Sequence, residues 1–291
     1  MNDMKRTTFL YTYKNELYNS LRYVHKSLQQ SILSYRQFTG LQKIMRDRML
    51  TTYFQPILNL QNGRCLGYEI LNRPPISNLF PNAEAFYQFI GHTDQVFAFE
   101  RFCREISIER FRASLTTERY PENTVVFLNI HPQVLADSTY RSGETISLLN
   151  SYGLSPEQVV FELTEKQAVH DYVEFERILS NYRSQGFRIA IDDAGSGYSS
   201  LKAIVSLKPD FIKLDRALIS RVDTHPDQQH IVRILKQFAV DSGTSIIAEG
   251  IERYEEIQFL RREGIEYGQG YALGRPDTVL KQSPLSFPKG N

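Results

Sequence analysis

Cysteine is nearly missing from this chain. Cys65 and Cys103 are the only two, each set in ordinary strand-like or helix-like text. Their scarcity argues against a disulfide scaffold or a cysteine-rich metal cluster and predicts two free thiols, buried or half-buried. Long apolar runs are missing as well. No segment reaches the roughly 20 residues that a membrane span needs, and the opening MNDMKRTTFLYTYKNE has no apolar run of signal-peptide length. A reducing cytoplasm is therefore the expected compartment. Net charge is also lacking, since 34 Lys and Arg face 33 Asp and Glu and leave +1. No global field points to a DNA or RNA polymer or a membrane surface, so an anionic ligand must be met by local groups.

What is present is the composition of a soluble globular protein, 41% hydrophobic and 23% charged, long enough for a single sizeable core. Residues 1–50 read as helix. Leu10, Leu17, Leu21, Val24 and Leu28 recur at three- and four-residue steps, and the pattern continues through Leu41, Ile44 and Met45 toward Leu50. Such a face predicts a helix packed on its own domain. The sharper alternative is a helix that binds a second copy or a protein partner.

From Thr51 the text becomes short apolar runs alternating with helical stretches. Strands are predicted at 52–58, 65–71, 125–130, 159–163, 188–192, 211–215, 245–249 and 267–271. Helices are predicted at 169–185, 200–208, 227–242 and 252–263. Gly186, Gly243 and Gly264 stand where left-handed helix ends belong. Eight strands alternating with helices imply a closed, mainly parallel barrel. One junction differs: Asn62-Gly63 is a tight-hairpin signal, so the first two strands must be antiparallel.

In such barrels the chemistry comes from the C-terminal strand ends. Those ends carry Glu69, Asn129, Glu162, Asp192 with Asp193, Lys213, Glu249 and Gln269. Each has an ordinary explanation alone, as a helix cap or one half of an ion pair. Together they put several acids on one rim, where they would repel unless a cation sat among them. Oxygen donors suit Mg²⁺ or Mn²⁺, and three or more acids can hold two such ions, the arrangement that clamps a phosphodiester. Lys213 alternates with Ile212 and Leu214, sharing a face with Asp215. It is either half of a structural Lys–Asp pair or an amine whose pKa neighbouring positive charge lowers, so that it orients or deprotonates water. The run DDAGSGYSS at 192–200 reads as an active-site loop, with Ser199 or Ser200 able to cap the next helix. His131 and the aromatic cluster at 86–102 take blander readings, as a loop residue and as core.

These strings resemble the EAL-domain family of cyclic-di-GMP phosphodiesterases. The resemblance runs from about Leu41 to Leu280 and rests on FQPI (54–57), GYEILNR (67–73), LNIHP (128–132), FELTE (161–165), DDAGSGYSSL (192–201), IKLD (212–215), AEGIE (248–252) and QGYALGRP (269–276). It implies a TIM-like (β/α)8 barrel with one antiparallel strand over 41–291, after an N-terminal helical extension at 1–40. It implies metal-dependent hydrolysis of cyclic di-GMP to linear pGpG by a metal-activated water, with Mg²⁺ or Mn²⁺ as two ions. Glu69, Asn129, Glu162, Asp192 and Glu249 match metal ligands, and Asp193 matches a residue serving a second metal. Lys213, Glu249 and Gln269 match catalytic positions, Gln55, Leu71 and Arg73 substrate contacts, and Glu165 the anchor of the aspartate loop. A homodimer through the face near that loop is expected. Three departures stand out: Ile70 replaces the Ala of the name motif, Ala194 and Ser196 replace a usual Phe and Thr, and Pro74-Pro75 follow Arg73 where an aromatic is common. The altered loop leaves an alternative, a catalytically silent cyclic-di-GMP receptor acting through the N-terminal helix. No GGDEF-type cyclase motif is present.

Overall fold

The computed structural model describes residues 2–117, 121, 123–130, 143–164, 172–195 and 204–281. They fall into two compact units, Met1–Leu50 with Pro74–Thr93, and Thr51–Arg73 with Asp94–Asn291.

The first unit is built on one long helix, α1 (Asn2–Arg46). Nothing in its sequence interrupts it: no proline precedes Pro56, and Gly40 is the only glycine before Gly63. Near its end the helix meets the segment that follows Pro74. Gln37 Nε2 donates to the Leu79 carbonyl at 3.2 Å, and a Cβ at Gly40 would lie 3.3 Å from Leu79 Cδ1. A second helix, α2 (Ala83–Gly91), starts where Asn82 accepts from the Ala85 amide. Phe86 from α2 stands edge-on to Phe80 at 4.9 Å. Leu41 and Ile44 are buried, whereas Leu21, Val24 and Leu28 are each more than half exposed. Among the described side chains, the expected packed stripe is realised in the last turns and not at 21–28.

The second unit is the barrel. In chain order it contains β1 (Thr51–Asn59), β2 (Cys65–Arg73), α3 (Val96–Thr117), β3 (Val125–Asn129), α4 (Glu144–Ser151), β4 (Val159–Thr164), α5 (Tyr172–Ser184), β5 (Arg188–Ala194), β6 (Phe211–Leu214), the short α6 (Arg216–Ile219), α7 (Pro226–Ser242), β7 (Ser245–Ala248), α8 (Tyr254–Arg262) and β8 (Tyr267–Gly268). Neighbouring strands pair in sequence order and β8 closes on β1. β1 is antiparallel to both neighbours and every other pairing is parallel, as the hairpin requires. That turn is held by Asn59, whose Oδ1 accepts from the Gln61 and Asn62 amides. The last strand is shorter than expected, because the chain turns away after Gly268.

Alternation along each strand decides what fills the barrel. Ile57, Phe127, Ala190 and Ile247 come from β1, β3, β5 and β7, and pack inside with Val160 and Phe211 of β4 and β6. The Phe127 and Phe211 rings meet edge-on at 5.4 Å. Outward positions pack beneath the helices in a second cluster that includes Tyr68, Phe161, Ile212 and Leu260. Cys65 and Cys103 are both free, and burial pushes the Cys65 thiol up to about 11, so it is inert near neutrality.

At Gly67 the β3 backbone leaves no room for a side chain, since a Cβ there would lie 2.0 Å from the Val125 carbonyl oxygen. Gly67→Ala should therefore cost about 1–3 kcal/mol, read as a lower urea midpoint. An unchanged midpoint would show that β2 and β3 can separate freely.

Candidate active site

Above the apolar layers every strand contributes one polar interior position, at one of two levels. Glu69, Glu162, Lys213 and Gln269 come from β2, β4, β6 and the residue just past β8. Gln55, Asn129, Asp192 and Glu249 come from β1, β3, β5 and the residue just past β7. Four side chains from alternate strands make one layer of such a barrel, so the predicted residues are two successive layers of it. The structure brings them together.

Lys213 is the centre of this arrangement. Its Nζ lies 2.7 Å from Glu162 Oε1 and from Glu249 Oε1, and 3.3 Å from Glu69 Oε2 and from Asp192 Oδ1. Lys213 and Glu162 are each only 1% exposed. Glu69 is further held by Gln269 Nε2, which donates to Oε2 at 2.6 Å, and by Asn129 Nδ2, which donates to Oε1 at 3.3 Å. Of the two readings of Lys213, the pairing with Asp215 does not occur. Asp215 instead caps α6, accepting from the Ala217 amide at 2.7 Å.

The charges settle the state of these groups. Burial alone would lower the Lys213 pKa, but Asp192, Glu162, Glu249 and Glu69 hold it well above its ordinary value. Among the described residues its partners are all acids; the lowered pKa expected from the sequence concerns the amine beside bound cations. Burial raises Glu69 too, yet Lys213, Gln269 and Asn129 outweigh it and keep this carboxyl low. Glu162 is pushed well above the carboxylate range by burial and by Glu69 and Asp192, against the pull of Lys213. Burial, with repulsion from Asp192 and Glu69, takes Glu249 up to about 8, again against the pull of Lys213.

Asp192 and Asp193 reach the site through an irregularity of β5. Ile191 pairs with Ile212 and Ala194 with Leu214, so two residues of β5 stand opposite Lys213 alone. Adjacent strand residues ordinarily face opposite ways, and such a bulge re-aims one of them. Asp193 adopts the left-handed region at φ 58, a costly conformation of the kind that gathers at functional sites. Carboxylate oxygens of Asp192, Asp193 and Glu249 consequently lie within 4.8 Å of one another.

This donor set fits a hard divalent cation. Its acids outnumber its one ammonium, and all of its donors to a metal are oxygens. Glu162 Oε2 and Gln269 Oε1 are buried without a hydrogen bond from the described residues, a costly state that a cation or water would relieve.

A cavity of about 300 Å³ opens over the two layers. Gln55 and Leu71 line it beside Glu69, Asp192, Lys213, Glu249 and Gln269. Gln55 is fixed by donating to the Gly274 carbonyl at 3.2 Å. Arg73 is not part of the lining and lies exposed at the end of β2. Arg216, Glu252 and Tyr271 do line it and were not anticipated. Arg216 and Glu252 pair at 2.9 Å, and Arg275 stacks over the Tyr271 ring at 4.2 Å. The signal for them was their place one to three residues beyond Asp215, Glu249 and Gln269. Glu165, His131 and the loop residues 196–203 lie outside the described residues.

The EAL-domain sequence profile matches residues 40–276. The cyclic di-GMP phosphodiesterase RocR of Pseudomonas aeruginosa is 30% identical over 229 residues, covering 77% of this chain and 56% of RocR. The chain spans from about a third to just over half of the length of such relatives, 31% for one from Escherichia coli and 44% for another. Among solved structures, a standalone EAL protein from Vibrio cholerae O395 in its c-di-GMP-bound form superposes with a TM-score of 0.69 at 28% identity, over 80% of this chain and 95% of that one. BlrP1 of Klebsiella pneumoniae, a manganese and cyclic-di-GMP complex, gives 0.71 at 25% identity, over 81% of this chain and 58% of that one. Since the matched span takes in all eight strands and both polar layers, the chain belongs to the EAL-domain family.

Proposed function

We propose that the chain is a phosphodiesterase that hydrolyses cyclic di-GMP to linear pGpG with the help of Mg²⁺ or Mn²⁺, as two ions. The observation that carries this reading is the ring of four carboxylates around Lys213 on the floor of an open cavity. Support comes from RocR, a cyclic di-GMP phosphodiesterase by name, and from BlrP1, which holds manganese and the cyclic dinucleotide together.

In this proposal Glu69, Asn129, Glu162, Asp192 and Glu249 hold the cations, and Asp193 serves the second. Bound ions supply Lewis-acid polarisation of the phosphodiester and lower the pKa of water. Lys213, a fixed ammonium, contributes positive charge and hydrogen-bond donation where negative charge gathers on oxygen. Lys213 and Glu249 both line the cavity, where they are placed to orient or activate the attacking water. Gln269 offers its unpartnered Oε1 to orient a water while its amide fixes Glu69. Gln55 and Leu71 contact the nucleotide. Arg73 shares the interior parity of Glu69 and Leu71, and its planar fork suits a phosphate. Glu165 as the loop anchor, a homodimer near the Asp192–Asp193 rim and a cytoplasmic setting belong to the same proposal.

A silent receptor is the competing reading, favoured by Ala194, which is wholly buried where an aromatic was expected. Turnover separates the two. Purified protein with Mn²⁺ or Mg²⁺ should convert cyclic di-GMP to pGpG, and EDTA should abolish the product. Tight binding without product under either metal would establish the receptor.

Glu69→Ala should lower the rate by about a hundredfold or more while leaving the fold intact. Lys213→Met should do at least as much, because it leaves four acids facing one another. A Lys213→Met enzyme near wild-type speed would remove the ammonium from the reaction. Mn²⁺ should also raise the melting temperature by about 5 °C at roughly a hundredfold excess over its Kd. The gain should shrink in Glu249→Gln, and equal gains in both proteins would place the ion elsewhere.

A further inference from the structure

A buried acid that the chemistry does not use lies beneath the rim. Glu256, on the first turn of α8, is 1% exposed and accepts three backbone hydrogen bonds. Its Oε1 takes the Arg221 amide at 2.8 Å, and its Oε2 takes the amides of Glu252 and Arg253 at 2.9 and 3.0 Å. Those amides belong to two different segments. Arg221 follows β6 and α6, which carry Lys213, Asp215 and Arg216. Glu252 and Arg253 follow β7 and Glu249. Arg253 repeats the tie with its guanidinium, Nη1 and Nη2 meeting Asp223 Oδ1 and Oδ2 at 3.0 and 3.4 Å.

The segment from Glu249 to Arg253 has little other freedom. Its start is fixed where the Glu249 amide donates to the Leu214 carbonyl at 3.0 Å. Its middle presses on Arg216, since a Cβ at Gly250, which is left-handed at φ 64, would lie 2.4 Å from Arg216 Cγ. Its end is closed by Glu256. A carboxylate can serve both segments because each oxygen accepts; an amide in its place would turn an N–H₂ toward one of them.

We infer that Glu256 is a positioning residue for the metal site: by accepting from both rim segments it sets the place of Glu249 relative to Lys213 and Asp192. This rests on the proposed role of Glu249 as a metal ligand. Groups that orient metal ligands typically cost ten- to a hundredfold in metal affinity when changed.

The test is Mn²⁺ binding by isothermal titration to the full chain, with circular dichroism to check the fold. Glu256→Gln keeps the volume and one segment's bonds, and should raise the Mn²⁺ Kd about tenfold, with lost activity largely recovered at saturating Mn²⁺. Arg233→Ala serves as the control, because it breaks the bidentate pair between Arg233 and Glu263 at the other end of α8. Its Kd should stay within about twofold of wild type, as expected for a residue away from the rim. A Kd in Glu256→Gln within twofold of wild type, or an equal loss in Arg233→Ala, would overturn the inference. No Mn²⁺ binding by the wild type would remove the metal reading itself and the inference with it.

Discussion

Everything at the rim depends on one electrostatic constraint, the placing of a single buried ammonium among four acids. Take away Lys213 and the floor of the cavity is a set of carboxylates in a poorly solvated space, which is not a stable charge state. With it in place, Glu69 is held low, and Lys213 pulls against the burial and mutual repulsion that raise Glu162 and Glu249. The imbalance that remains is what makes the site receptive to further positive charge. The proposed affinity for cations would thus be a residue of incomplete neutralisation by the protein itself.

The barrel was legible in the sequence because its signals are short-range. Asn62-Gly63 declared the reversed strand, and three glycines marked helix ends that the structure leaves in the left-handed region at φ 96, 70 and 71. The polar layers were legible for a related reason. Acids and amides stand out at interior parity inside apolar strands, so Glu69, Glu162 and Lys213 could be found without knowing what they touch. What they touch could not be read. The surroundings of Lys213 are set by strands up to 144 residues away in the chain, such as β2 with Glu69.

Other features were hidden because they break the periodicity on which such reading relies. Alternation assigns Asp192 and Asp193 to opposite faces, and only the bulge opposite Lys213 gathers both with Glu249. The N-terminal helix shows the converse. Leu21, Val24 and Leu28 have the spacing of a packed face, yet they lie exposed, because spacing specifies a stripe and not its neighbour. Glu256 looked like an ordinary residue of a helix's first turn. Its bonds to the Glu252 and Arg253 amides are local to the helix start, and its reach to the Arg221 amide follows from the tertiary fold alone.

That every strand contributes one group to the polar floor joins strand alignment to chemistry. Sliding any one strand by a single position would swap its polar side chain for the apolar neighbour that now packs beneath the helices. In a closed barrel such a slip would also have to be absorbed all the way round. Reactivity here is therefore written into the shear of the sheet. Surface connections can change length or composition with little penalty, whereas the hydrogen-bond alignment of eight strands cannot drift without dismantling the floor.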